Sequence, residues 1–377
     1  MKLVIFGLTV SSSWGNGHAT LWRGLCRALA ARGHEIVFFE RDVPYYAEHR
    51  DLRELPGGGE LLLYPSWEDA LPTARRHLDD ADVGMVTSYC PDGVAASRLL
   101  LDSRAGLRVF YDMDTPVTLQ ALERGETVPY LPPWGLGDFD LVLSFTGGAS
   151  LRELRTRLGA RRAVPLYGSV DPEVHRRVPA QEVFRADLSY LGTYAADRQA
   201  ALEALFIEPS RRCPGQRFLI GGALYPADFP WTDNVFFVRH VAPGDHPAFY
   251  SSCRMTLNVT RAAMAAMGHC PSGRLFEAAA CGTPILSDHW TGLDEFFSPG
   301  EEILVARTTD EALRALRLPA GELDAVARRA RERALDEHNA ARRARDLEEA
   351  LAGAYDAPGA FQAAGVPEPG RTLSMEV

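Results

Sequence analysis

Between residues 254 and 306 the chain reads RMTLNVTRAAMAAMGHCPSGRLFEAAACGTPILSDHWTGLDEFFSPGEEILVA, with Arg261 and Arg274 on either side of a polar, glycine-containing loop. Guanidinium groups hold phosphate oxygens in a planar fork. A helix predicted over 274–281 adds unpaired backbone N–H groups and the positive end of its dipole beside Ser272 and Gly273. Ser272 is placed to cap that helix, and Gly282 with Pro284 ends it. This pattern suits a diphosphate. Glu277 stands between Phe276 and three alanines, on a stretch apolar enough to be buried. A buried carboxylate without partners is costly, so Glu277 needs one, and a ribose diol fits.

The elements that must position these groups follow from the flanking pattern. Apolar runs at 255–259 and 284–287 predict short buried strands before and after the loop and helix. Similar alternation fills the rest of the chain. KLVIFG, EIVFFE, VGMVTSY, LRVFYD and DLVLSF are strand candidates in the first half, and LSYLGTY, RFLIGG, NVFFVRHV, MTLNVT, PILSD and EILVA in the second. Amphipathic segments separate them, which predicts an α/β protein with parallel sheets covered by helices. The expected units are 1–168, a linker over 169–187, a second unit over 188–345, and a helix end with a loose tail over 346–377. Residues 323–354 read as one long helix with a solvated outer face.

Ligands on such sheets sit at the carboxyl ends of the strands. That rule brings the loops at 11–18, 40–43, 112–116 and 144–148 to one rim. Gly15, Asn16, Gly17 and His18 precede a helix, and Glu40 closes the next strand, a partial imitation of a dinucleotide site. The imitation fails because the first strand ends near Gly7 and Thr20 stands where a third glycine belongs. His18 suits a general base, a hydrogen-bond donor to a hydroxyl, or a helix cap. Asp112 and Asp114 form a D-x-D unit that either holds a divalent ion or, without metal, orients His18 and accepts hydroxyls. The metal-free alternative is preferred because arginines already neutralise the diphosphate. Thr146, Gly147 and Gly148 offer bare N–H groups to an acceptor or make a tight turn. Tyr45, Tyr46, Tyr130 and Trp134 are further aromatic candidates beside the acceptor.

Composition removes several classes. Among 377 residues Lys2 is the only lysine, which excludes a Walker A loop and a pyridoxal phosphate Schiff base. A net charge of -10 opposes non-specific nucleic-acid binding. The six cysteines are dispersed, so reduced thiols are expected and a zinc site is not. No apolar run is long enough for a membrane span, and a cytoplasmic protein is expected.

The stretches FYDMDTPVTL, LSFTGG, PLYGSVDP, YLGTYAADRQ, LNVTR and PSGRLFEAAACGTPILSD resemble the CgeB-like (spore maturation protein B) group of GT-B glycosyltransferases. The resemblance covers roughly residues 109–306. It implies two Rossmann-like domains facing each other across a cleft, the donor on the second and the acceptor on the first. The donor is a nucleotide sugar, UDP- or dTDP-linked, with no cofactor and no obligatory metal. Arg198 matches a basic residue that binds the donor diphosphate, and Glu277 matches a ribose-binding glutamate. Asn258, Thr260 and His269 fall with the donor ribose and sugar, although His269 stands where related enzymes carry a second glutamate. Val238, Arg239 and His240 fall at the nucleobase. The expected reaction is transfer of a hexosyl unit to a small-molecule or cell-surface acceptor, with retention favoured. The alternatives are a nucleotide-sugar 2-epimerase, a metal-dependent transferase or a non-catalytic sugar-nucleotide binder.

Overall fold

The computed structural model describes residues 1–356. The loose tail expected at the C-terminus lies outside them. Among the described residues seven strands form one sheet: β1 (Lys2–Gly7), β2 (Glu35–Arg41), β3 (Glu60–Tyr64), β4 (Val83–Thr87), β5 (Leu107–Asp112), β6 (Leu141–Ser144) and β7 (Ala163–Pro165). Their order is β3-β2-β1-β4-β5-β6-β7, all parallel. Alternate residues serve opposite faces. Ile5, Phe38, Met85, Val109 and Leu143 enter one core. Val4, Phe39, Val86, Phe110 and Val142 enter the other. Burial on both faces explains why these strands read as unbroken apolar runs rather than alternating ones.

Six more strands build a second parallel sheet: β8 (Leu188–Leu191), β9 (Phe218–Gly222), β10 (Val235–Arg239), β11 (Thr256–Asn258), β12 (Ile285–Ser287) and β13 (Leu304–Val305). Their order is β10-β9-β8-β11-β12-β13. In each sheet the direction of winding reverses beside the first strand, between β1 and β4 and between β8 and β11. A crevice opens outside the strand ends at such a reversal. His18 follows β1, Tyr89 follows β4, Arg198 follows β8, and Thr260 and Arg261 follow β11. The two reversal points therefore supply the two walls of one cleft.

Four features differ from the sequence reading. β3 and β7 are additional strands, and the chain after Val43 forms a short helix, Pro44–Ala47, before β3. The long helix expected over 323–354 is two helices, Ala320–Glu337 and Ala340–Tyr355. Asn339 breaks it by capping the second, its side chain accepting from the Arg342 N–H at 2.8 Å. The second helix is also not a solvated face. Ala344, Leu347 and Leu351, at helical spacing, complete the core of the first sheet. The chain crosses between the two sheets twice, and the crossings are laced together. The Val170 N–H donates to the His338 carbonyl at 2.9 Å, and the Ala340 N–H to the Val170 carbonyl at 2.8 Å. Among the described residues no helix is long and apolar enough to cross a membrane. All six cysteines are free.

Candidate active site

A cleft of about 520 Å³ lies between the two sheets, and residues from both line it. Its N-terminal wall begins with the loop after β1. Glu40, fully buried at the end of β2, holds that loop. Its carboxylate accepts from the Thr9 hydroxyl at 2.6 Å, the Val10 N–H at 2.8 Å, the Ser11 N–H at 2.9 Å and the Ser11 hydroxyl. Asn16 then caps the first helix, Gly17–Ala31, accepting from the His18 N–H at 3.0 Å while its amide donates to the Thr9 carbonyl. The result fixes the His18 backbone. The His18 Nε2 meets Asp114 Oδ2 at 2.7 Å, and His18 Nδ1 is buried without a partner. Both residues line the cleft. The pair thus presents the His18 ring and the Asp114 carboxylate to the cleft, joined by one hydrogen bond.

The two aspartates of the D-x-D unit part company. Asp112 is fully buried at the end of β5, accepts the Asp114 N–H at 3.0 Å through Oδ1, and does not line the cleft. Burial raises its carboxyl to about 7, a penalty on the charged form. It supports the turn beneath Asp114 instead of facing a ligand. Thr146, Gly147 and Gly148 also lie away from the cleft. The Gly147 N–H is taken by the His269 carbonyl at 2.9 Å, and the Thr146 hydroxyl by the Cys270 sulfur at 3.3 Å. The His269 ring packs directly over Gly148, which leaves no room for a side chain there. His269 itself has a left-handed backbone, φ 47°, and its Nδ1 meets Glu295 at 3.1 Å. Thr146, Gly147, Gly148 and His269 lie at the seam between the two sheets and do not themselves line the cleft, where the sequence reading expects the Thr-Gly-Gly turn at the acceptor and His269 at the donor sugar.

The C-terminal wall is built around the helix Gly273–Ala280. Ser272 caps it, accepting from the Arg274 N–H at 3.3 Å, and Gly273 leaves its first turn open to the cleft. Arg274 donates to Asn258 Oδ1 at 3.1 Å and lies 5.2 Å over the Tyr190 ring. Asn258 is buried and does not reach the cleft; it braces Arg274 from behind. Thr260 does line the cleft, held by Asp288, which accepts its N–H at 3.1 Å and its hydroxyl at 3.0 Å. Burial raises the Asp288 carboxyl. Arg261 pairs with Asp197 at 2.8 Å. Arg198 reaches the Thr193 carbonyl at 3.2 Å, and its Nε has no partner. Burial lowers its affinity for the proton, and the neighbouring Arg274 and Arg261 lower it further. Three guanidinium groups thus converge on one open helix start with a single carboxylate, Asp197, paired to them.

Glu277 is 8% exposed and under-partnered, as its sequence context predicts. Its nearest polar neighbours are the Tyr250 hydroxyl at 3.5 Å, His246 Nδ1 at 3.7 Å and His175 Nε2 at 3.9 Å. Burial pushes His246 down to about 4, so it is neutral at pH 7. Among the described residues His175, His246 and Glu277 form a group whose ligand atoms lie within 4.8 Å of one another, compatible in type with a transition metal. Glu277 and His246 face the cleft, where hydroxyl groups of a ligand are equally suitable partners. Of the residues expected at the nucleobase, His240 lines the cleft together with its neighbour Val241, whereas Val238 and Arg239 do not. The His240 ring, on a left-handed backbone of φ 51°, meets the Trp14 ring of the opposite wall at 4.4 Å.

The same two-sheet arrangement recurs in solved structures. Anabaena Alr3699/HepE, solved with UDP and glucose, aligns at TM-score 0.67 and 13% identity, over 94% of this chain and 100% of that one. The fold is that of the GT-B glycosyltransferases. Sucrose-phosphate synthase from Thermosynechococcus elongatus aligns at TM-score 0.65 and 15% identity, over 94% and 99% of the two chains. An alpha-glucosyltransferase, solved with UDP-glucose and DNA containing an abasic site, aligns at TM-score 0.67 and 11% identity, over 93% and 99%. Residues 198–349, from Arg198 through the Gly273 helix, match the family described as glycosyl transferase-like. No curated protein matches the chain by sequence. In GT-B terms, the glycosyltransferase-like match covers the arginine-rich wall and stops short of the His18 wall.

Proposed function

We propose that this chain transfers a hexosyl unit from a nucleoside diphosphate sugar, UDP- or dTDP-linked, to a hydroxyl acceptor, without an obligatory metal and with retention of anomeric configuration. The observation that carries the reading is the arginine cluster: Arg198, Arg261 and Arg274 stand together at the open start of the Gly273–Ala280 helix, and Arg198 has no ion-pair partner among the described residues. Such a cluster favours an anion beside it, and a leaving diphosphate supplies the charge. As the anomeric carbon gains oxocarbenium character, these groups stabilise the charge growing on the departing phosphate. Glu277 takes the ribose hydroxyls, and His240 and Val241 border the base.

Retention is favoured by the resemblance to the GT-B group; the His18 Nε2 is engaged with Asp114 and its Nδ1 has no partner, so the His18→Ala variant decides whether the ring acts as a base. Front-face attack assisted by the leaving phosphate needs no such base. The Asp114 carboxylate then accepts a sugar hydroxyl. A CgeB-like affiliation and a cytoplasmic setting, where reduced cysteines and nucleotide sugars coexist, complete the proposal. The decisive test is thermal shift with UDP-, dTDP- and GDP-sugars, since a ligand of the folded state raises stability by about 2.7 kcal/mol at a hundred times its Kd. Absence of stabilisation by all three sinks the proposal. NMR of the product sets the anomeric outcome, and incubation with donor alone reveals an epimerase by the appearance of the 2-epimer.

A further inference from the structure

We infer that the N-terminal wall receives a neutral ring bearing a hydroxyl group, a sugar or a phenol, stacked on Tyr89, and that it rejects acceptors carrying phosphate or carboxylate. The inference rests on the glycosyl-transfer reading of the same cleft.

Tyr89 follows β4 at the reversal point of the first sheet and lines the cleft. Its backbone is left-handed, φ 60°, a conformation that is strained for a bulky side chain and concentrates at functional sites. The strain aims the ring outward, where it remains 40% exposed although large and mostly apolar. It is not loose. Tyr130 supports it from within at 4.9 Å between ring centroids, and Tyr130 is itself fixed by a 2.8 Å hydrogen bond with Thr118. On its other side the His18 ring lies at 6.0 Å and 64°. A supported aromatic face therefore opens beside the Asp114 carboxylate. Burial and that carboxylate push the Tyr89 phenol up to about 12, so it stays uncharged.

The charges on this wall select the ligand. Among the N-terminal residues that line the cleft there is no lysine or arginine, and Asp114 is the only carboxylate. The nearest cation across the cleft is Arg261, already paired with Asp197. An anionic acceptor would meet Asp114 with like charge and find no fork to hold it. A neutral ring instead covers Tyr89 with its face, its attacking hydroxyl turned to the donor, and a sugar donates one of its other hydroxyls to Asp114. In the transfer, the acceptor oxygen bonds to the anomeric carbon as the bond from that carbon to the phosphate oxygen breaks. The acceptor proton passes to the departing diphosphate.

The test uses whichever nucleotide sugar raises the melting temperature, with nucleoside diphosphate release measured against methyl glucoside, 4-methylphenol, glucose 6-phosphate and methyl glucuronide, whose carboxylate is ionised at pH 7. One or both neutral compounds should exceed the anionic pair in kcat/KM by about a hundredfold, and which of the two does so separates sugar from phenol. Asparagine tolerates left-handed backbone, so Tyr89→Asn removes the ring without forcing the turn. Acceptor KM should rise about tenfold in that variant, recover in Tyr89→Phe, and leave the donor-induced thermal shift in place. Faster turnover of the anionic pair, no turnover of either neutral compound, or an unmoved acceptor KM in Tyr89→Asn overturns the inference while the donor shift survives. Loss of the donor shift in the unmodified protein refutes the transferase reading itself.

Discussion

On the C-terminal side of the cleft, Arg198, Arg261 and Arg274 crowd around a helix start with one carboxylate among them, and Glu277 has no hydrogen bond shorter than 3.5 Å. On the N-terminal side the carboxylates that hold the wall, Glu40 and Asp114, are matched internally. Glu40 is saturated by the loop it holds, and Asp114 is bonded to His18 at 2.7 Å. One wall is incomplete until a charged ligand arrives. The other is complete without one and shows mainly shape, an aromatic face and a single carboxylate. For the proposed reaction, the difference assigns affinity for the nucleotide sugar to the arginine-bearing wall and orientation of the acceptor to the His18 wall.

The contrast can be broken first at the donor wall. Arg274→Ala and Glu277→Ala should each lower kcat/KM about a thousandfold and abolish the thermal shift with donor, because each removes a partner of the leaving nucleotide. Near-normal turnover in either variant removes the assignment of this wall. At the acceptor wall the effects should be smaller. Asp114→Asn should cost about a hundredfold in kcat and His18→Ala about tenfold, with donor binding retained. A loss of about 10⁴-fold in His18→Ala would make it a general base after all.

Next comes stability. Asp112 has its folded-state value raised from 3.8 to about 7. Between those values the folded protein keeps a proton that the unfolded chain has lost, so the contribution of Asp112 is full below about pH 4 and is lost as pH rises toward 7. The slope is at most about 1.4 kcal/mol per pH unit. Asp112→Asn should remove that component, so denaturant midpoints of the two proteins should diverge as pH rises from about 4 to about 7. Parallel curves would show that Asp112 is not buried as a neutral acid. The smallest expected effect is that of chelation: EDTA should change turnover by less than about twofold if arginines alone neutralise the diphosphate. A collapse in EDTA would transfer that task to a metal, with His175, His246 and Glu277 as the first place to look.

How much of this was legible in the sequence depended on how local each signal was. Ser272, Arg274 and Glu277 were readable because a cap, a cation and a buried acid lie within two turns of one helix. Both sheets were readable because parallel strands buried on two faces leave continuous apolar runs. Asp112 and Asp114 were not separable, since their different fates depend on a strand that ends at one and a helix that begins after the other. His269 and Tyr89 were opaque for a common reason: left-handed backbone at a non-glycine residue is imposed by the surrounding fold and leaves no mark in residue type. The helix break at Asn339 did leave a mark, a good capping residue, but the charged, alanine-rich pattern on both sides concealed it. Asp197 and Asp288 became visible only when three-dimensional proximity put them against Arg261 and Thr260.

The last described helix has a consequence for how the molecule is made. Ala344, Leu347 and Leu351 belong to the core beneath β1 and β5, nearly the whole chain away from them in sequence. A ribosome that has released residues 1–168 has therefore delivered a sheet with one side covered only in part, by the helix Gly17–Ala31, and the rest of that surface must wait for the entire second half. The first sheet is the earlier one to be synthesised and the later one to be finished, so its maturation is tied to that of its neighbour. Expressed alone, residues 1–168 should expose an apolar stripe and aggregate, and co-expression with the segment 340–355 is the natural remedy.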